Sequence, residues 1–181
     1  EDALSVKEAE LSMLRRVGAP EEDMLVVQSN LAITYGELGR LDEALRLQRD
    51  VYSGYLRLNG EEQEATLLAA LNYADSLTSL DRFEEAKALF RKTIPIARRV
   101  LGNNNETTIS ISWNYAAALY KDPAATLDDL REAVETLESV APAWTHVFGP
   151  AHPETTKVQR ALASACEALA AGAAASSSGA A

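Results

Sequence analysis

The chain has 181 residues, 47% hydrophobic and 24% charged, the balance of a folded globular protein rather than a disordered one. A formal net charge of -10 works against nucleic acid and anionic membrane surfaces, which need clustered Lys and Arg, and no run approaches the roughly 18 apolar residues of a membrane span. One cysteine, Cys166, allows neither an internal disulfide nor a Cys-based zinc site and is compatible with a reducing, cytoplasmic location.

Residues 1–17 carry Ala3, Leu4, Val6, Leu11, Leu14 and Val17 as a loose amphipathic stripe that stops at Gly18-Ala19-Pro20. This reads as the second helix of a hairpin whose first helix is missing, so residues 1–18 are an N-terminal half-repeat. Glu1 opens the chain without a methionine and inside a helical pattern, which suggests an excised fragment or a processed start; no n-region plus h-region of a signal peptide opens the sequence.

Residues 19–60 form the first full hairpin. Glu21, Glu22 and Asp23 place negative charge at a helix start, where the macrodipole favours it. Leu25, Gln28, Leu31, Ala32 and Tyr35 then mark the face that meets a partner helix, Gly36 and Gly39 flank the turn, and Leu41 to Leu58 return. Residues 61–102 repeat the plan with Leu67, Ala70, Tyr73, Ala74 and Leu77, then Phe83, Ala86, Phe90 and Ile94. Pro95 falls inside the returning helix and predicts a kink there, and Pro142 holds the equivalent place in the next hairpin.

Residues 103–149 form the third hairpin, with Ile109, Trp113, Tyr115, Ala116 and Leu119. Its turn, Lys121 to Thr126, is longer, and reads as a neutral insertion of the kind surface loops accept cheaply. The segment 150–171 is a lone capping helix with Leu162-Ala163 where Leu31-Ala32 stood. Ala, Ser and Gly alone make up residues 172–181, a composition read as a flexible tail.

The register behind this division is regular. Asn30-Leu31-Ala32, Asn72-Tyr73-Ala74 and Asn114-Tyr115-Ala116 recur every 42 residues, and so do Gly18, Gly60 and Gly102. A period in this range is the mark of a solenoid of stacked hairpins. Leu31-Ala32, Tyr35, Gly39 and Ala44, with Tyr73-Ala74, Phe83, Ala86 and Phe90, resemble tetratricopeptide repeats. The 42-residue period, the Asn-x-Ala triplets, Val100-Leu101-Gly102 and Gly149-Pro150-x-His152-Pro153-x-Thr155 resemble the kinesin light chain and nephrocystin type of that repeat. The resemblance covers residues 1–170. It implies an all-α solenoid, a right-handed superhelix of antiparallel hairpins whose first helices line a concave groove for a peptide or partner protein. It also implies that Asn30, Asn72 and Asn114 reach the backbone of that peptide.

The asparagines have a physical case of their own, since Asn is a poor helix-interior residue yet stands at three equivalent positions. Its amide offers two donors and an acceptor to an extended peptide; the competing reading is that each amide bonds its own or a neighbouring helix. Helical spacing sets Ser29, Ile33 and Glu37, then Leu71, Asp75 and Ser79, then Trp113, Ala117 and Lys121 on the asparagine face. Among these, Ile33, Leu71 and Trp113 would supply apolar contact, Trp113 being a hot-spot residue type unless it packs into its own hairpin. Glu37, Asp75, Lys121, Arg40 and Arg82 would set charge preference, with each arginine either clamping a carboxylate or pairing with a nearby Glu.

His146 and His152 stand in no metal-binding spacing, Cys166 is expected to pack within an Ala-rich helix, and no phosphate loop or nucleophile elbow is present. No enzymatic activity, cofactor or metal is expected. The sequence therefore predicts a scaffold that binds a peptide or partner protein. The alternative is a structural subunit that packs through its convex face, or self-associates through the open N-terminal helix.

Overall fold

The structure is a computed structural model describing residues 2–178, all of whose regular elements are helices. It divides into two compact units, Glu1–Arg82 and Phe83–Ala181. The first holds α1 (Asp2–Val17), α2 (Glu21–Glu37), α3 (Leu41–Asn59) and α4 (Glu64–Ser79), and the second α5 (Phe83–Leu101), α6 (Glu106–Lys121), α7 (Leu127–Phe148) and α8 (Pro153–Ser178). By repeat register α5 to α8 match α1 to α4 one for one, so each unit is a returning helix, a full hairpin and the first helix of the next.

The glycines that mark the period end the helices for a conformational reason. Gly18, Gly60, Gly102 and Gly149 all have positive φ, between 66° and 88°, a region closed to most side chains. The turn after α2 uses Gly39 at φ 73°, where Arg40 N–H donates to the Tyr35 carbonyl at 2.8 Å. After α4 the same closure, Arg82 N–H to the Leu77 carbonyl at 2.9 Å, is made with Asp81 at φ 56° in the glycine position. Asp is among the few residues whose short polar side chain tolerates that backbone.

In the first unit α2 packs on α1 and α3, and α3 on α4. Leu11 of α1 is buried with Val27 and Leu31 of α2, and Leu25, Val51, Tyr55 and Ala69 form a second cluster joining α2, α3 and α4. Gly54 is required there, because a Cβ would stand 2.6 Å from Leu25 Cδ2. In the second unit Ile109, Ile111, Tyr115 and Leu119 of α6 are buried, as are Phe90 and Ala97 of α5 and Leu137 of α7. Both α5 and α7 remain continuous through Pro95 and Pro142, which lie exposed on the outer face.

Three expectations need correction. The long turn is not a loose insertion: Asp122 is buried and its Oδ2 accepts from Lys87 Nζ at 2.8 Å, while its Oδ1 accepts from the Ala124 N–H at 2.8 Å. Thr126 and Asp129 then close a capping box that starts α7. The Ala-rich segment read as a tail from residue 172 continues as helix to Ser178, since alanine is the strongest helix former and Gly172 lies against Leu127 and Leu130 of α7; residues 179–181 lie outside the described residues. Cys166 is exposed, the inward positions of α8 being taken by Val158, Ala161 and Ala165 at helical spacing.

Candidate functional site

The first unit contains a groove of about 240 Å³ walled by α2 and α4 and floored by α3. Small side chains open it: Ala32 and Gly36 on α2, Ala44 on α3, Ser76 and Ser79 on α4. Ile33, Glu37, Asn72 and Asp75 complete the walls, four residues that the asparagine-face spacing picks out. Helical periodicity brings them together, since Ile33 and Glu37, and Asn72, Asp75 and Ser79, lie one turn apart on their helices. Ile33 is exposed on the rim, and Asn72 is half-buried with its backbone carbonyl accepting from Ser76 Oγ at 3.0 Å.

The floor holds a residue that the sequence reading passed over. Gln48 is only 2% exposed; its Nε2 donates weakly to the Ser29 carbonyl at 3.5 Å and its buried Oε1 has no hydrogen-bond partner. In the repeat register its position belongs to Phe90 in α5 and Leu137 in α7, both buried. That register comparison was the available signal. In the second unit the corresponding positions differ: Tyr120 stands where Gly36 does, Ala161 replaces Asn72, and α8 meets α6 directly as well as α7. Burial there pushes the Tyr120 phenol pKa up.

The remaining candidates fall elsewhere. Asn30 is exposed on the side of α2 that faces α1, and its backbone carbonyl accepts from Lys7 Nζ at 3.1 Å. Asn114 is half-buried and turns its amide onto its own helix, donating to the Ser110 carbonyl at 2.9 Å. Trp113 packs against Trp144 with ring centroids 6.0 Å apart, and its Nε1 is buried without a hydrogen-bond partner. Leu71 is half-buried and off the groove lining, while Lys121 is exposed at the end of α6.

Arg40 donates from Nε and Nη2 to Glu43 Oε1 at 2.9 and 2.7 Å and lies 4.3 Å from the Tyr35 ring centre. The hydrogen bond raises the Arg40 pKa and lowers that of Glu43. Arg82 is exposed at the turn after α4. Among the described residues no group of three or more His, Cys, Asp or Glu is placed to hold a metal ion, and no helix is long and apolar enough to cross a membrane.

Residues 25–64 and 66–106 each match the tetratricopeptide repeat family. No curated protein matches the chain. Among solved structures, a Podosopora anserina protein with nearly identical TPR-like repeats, provisionally a kinesin light chain, is similar at a TM-score of 0.72, with 22% identity over 92% of this chain and 77% of that one. A variant of that protein reaches a TM-score of 0.75 at the same identity and coverage. BtubC (BKLC) from P. vanneervenii is similar at 0.63, with 16% identity over 94% of this chain and 73% of that one. At these identities the likeness is one of fold, and it agrees with the all-α arrangement of hairpins. Residues 25–64 and 66–106 are thus similar to tetratricopeptide repeats, and the chain shares the fold of the kinesin light chain type of repeat.

Proposed function

We propose that this chain is a protein-interaction scaffold and that the α2/α4 groove of the first unit receives an extended segment of a partner protein. Tetratricopeptide repeats are in general protein-binding scaffolds. The observation that carries the reading here is the meeting of Ile33, Glu37, Asn72 and Asp75 around one open groove. An extended peptide leaves its N–H and C=O groups unpaired, and an amide such as that of Asn72 can serve both. Ile33 offers apolar contact at the rim, and Glu37 and Asp75 give the groove a negative field. Arg40 and Arg82 sit at the turns, Arg40 already paired with Glu43.

Anisotropy titration of fluorescent extended peptides against the purified chain tests the reading. Asn72→Ala should weaken binding about tenfold, the loss of one or two backbone hydrogen bonds, and Asn114→Ala should leave it unchanged. Binding indifferent to Asn72→Ala and to Ile33→Glu would refute it.

A second reading, self-association through α1, is favoured by one feature. Leu11 and Leu14 turn inward, but Val6, Met13 and Val17 are 66%, 49% and 65% exposed and lie at helical spacing on one face. Sedimentation of the Val6→Lys, Val17→Lys variant beside the parent decides it: a parent dimer that the variant loses supports assembly, and a parent monomer at high concentration removes it.

A further inference from the structure

The second unit has a cavity of its own, about 290 Å³, between the last turn of α5, the start of α6 and the second half of α7. Its polar wall is Arg98, Asn103, Thr108, Ser112 and Ser139, and no Asp or Glu lines it although the chain carries a net charge of -10. Arg98 is exposed, and among the described residues its guanidinium takes part in no hydrogen bond or ion pair. The hydroxyl of Thr108 sets this cavity apart. The repeat places a threonine at the same point of three first helices, Thr66, Thr108 and Thr155, each 2% exposed. Thr66 Oγ1 donates to the Tyr55 carbonyl at 3.3 Å and Thr155 Oγ1 to the Gly149 carbonyl at 2.7 Å, each tying its helix to the segment before it. Thr108 Oγ1 is buried and has no hydrogen-bond partner. Two neighbouring register positions change with it, since Arg98 and Ser112 stand where the first unit has Leu56 and Ala70.

The backbone at the start of α6 is already served, because Asn105 Oδ1 accepts from the Thr107 and Thr108 N–H groups. What the cavity offers therefore comes from side chains. Ser112 and Ser139 give their protons to the Thr108 and Thr136 carbonyls. That leaves the Arg98 guanidinium, the Asn103 amide and the Thr108 hydroxyl as donors, facing an apolar wall of Ile109, Val140 and Ala143. We propose that this cavity binds a small aliphatic carboxylate. The guanidinium fork takes the two carboxylate oxygens, Asn103 and Thr108 add a hydrogen bond each, and the aliphatic body lies on the apolar wall. Threonine has two accessible χ1 rotamers in a helix, so the Thr108 hydroxyl turns to the ligand without moving the backbone. One cation matches a monoanion better than a phosphate group, which carries close to two charges at neutral pH. The volume is at the low end for small-molecule sites, roughly 300–1,000 Å³, and suits a short acid.

The test is an NMR titration of the full chain with isovalerate, its neutral amide isovaleramide, inorganic phosphate and a pentapeptide ending in valine with a free carboxylate. Isovalerate should shift the amide resonances around Thr108 and Val140 in a saturable way and bind about tenfold tighter than isovaleramide. Arg98→Leu, which restores the residue type of Leu56, should abolish that preference. Thr108→Val should weaken isovalerate about fivefold while raising the melting temperature of the free chain, since it removes an unpaired buried hydroxyl. The raised melting temperature shows that the fold has survived.

Isovalerate that causes no saturable shift, or binds no better than its amide, would overturn the proposal. So would binding that both variants leave unchanged, which would mean diffuse attraction to exposed arginines. Phosphate binding more tightly than isovalerate at the same residues would replace the monocarboxylate with a dianion. The pentapeptide binding more tightly would give the cavity to the C-terminus of a partner chain and overturn the choice of a free acid.

Discussion

Asp122→Ala is the sharpest test of how the second unit is held together. The Asp122 and Lys87 side chains are 7% and 3% exposed, and their carboxylate and ammonium meet at 2.8 Å. Lys87 also reaches the exposed Glu84, at 2.5 Å. Removing one partner of a buried pair costs about 3–5 kcal/mol; since Glu84 stays with the ammonium, the lower end is expected, about 3 kcal/mol. The readout is unusually clean, because both tryptophans of the chain, Trp113 and Trp144, belong to the second unit. Urea unfolding followed by tryptophan fluorescence therefore reports that unit, and Asp122→Ala should move its midpoint down. Lys87→Leu in the same chain restores the residue type that Leu45 provides at the equivalent position of α3, and the pair of changes should recover most of the loss.

The pH dependence has a definite sign. Burial is the largest single influence and opposes the charge on both partners, but the hydrogen bonds from Lys87 and the Ala124 N–H together with the Lys87 charge lower the Asp122 pKa below its ordinary 3.8, and the hydrogen bonds to Asp122 and Glu84 together with the Asp122 charge raise that of Lys87 above 10.5. The Asp122 contribution is thus present above 3.8 and lost as pH falls through the lowered value. That of Lys87 is present below 10.5 and lost as pH rises through the raised one. A loss under about 1 kcal/mol for Asp122→Ala at neutral pH, or strict additivity with Lys87→Leu, would refute the pair's role.

Other outcomes follow from the same geometry. Gly54→Ala should destabilise the first unit by about 1–3 kcal/mol in spite of alanine's better helix propensity, because its Cβ meets the buried Leu25; circular dichroism melting measures it. Tyr115 hydroxyl donates to Glu132 Oε1 at 2.7 Å and accepts from Arg91 Nε at 2.9 Å, so Tyr115→Phe should cost about 1 kcal/mol in the tryptophan-detected transition. Burial first, and then the bond to Glu132, push the Tyr115 pKa up to about 12. Its stabilising contribution is complete below 10 and fades as pH climbs towards 12, which absorbance at the phenolate band should show as one late-titrating tyrosine. Cys166, exposed on α8, should react with a thiol reagent in the native state as fast as in urea.

Most of the helix plan was legible because its punctuation is chemical. Gly18, Gly60, Gly102 and Gly149 sit where the backbone turns to positive φ, so their 42-residue spacing and its one lengthened interval locate the helix ends directly. The groove was legible in part, since the spacing that groups Ile33 with Glu37, and Asn72 with Asp75 and Ser79, is a property of the helix itself. What the pattern could not carry was the direction of an individual amide or ring. Asn114 and Asn72 are alike in sequence, but Asn114 spends its amide on the Ser110 carbonyl, and Trp113 has Trp144 to pack on, a partner 31 residues away in another helix. Alanine was the other blind spot: in α8 it marks neither an inside nor an outside, so neither the exposure of Cys166 nor the extension of the helix beyond residue 171 could be read from periodicity.

Lys87 and Gln48 are long polar side chains buried at register positions that are apolar in the other hairpins, and their fates differ. Lys87 takes the place of Leu45 in α3, and the chain answers it internally: the lengthened turn after α6 delivers Asp122, so the insertion and the lysine explain one another. Gln48 takes the place of Phe90 and Leu137, and the chain supplies only a 3.5 Å contact from its nitrogen and nothing to its oxygen. A polar group buried for stability is paired within the fold, as Lys87 is. Gln48 lies instead beneath the α2/α4 groove, where the proposed partner segment would reach it, and that is what makes the first unit the place to test for its binding.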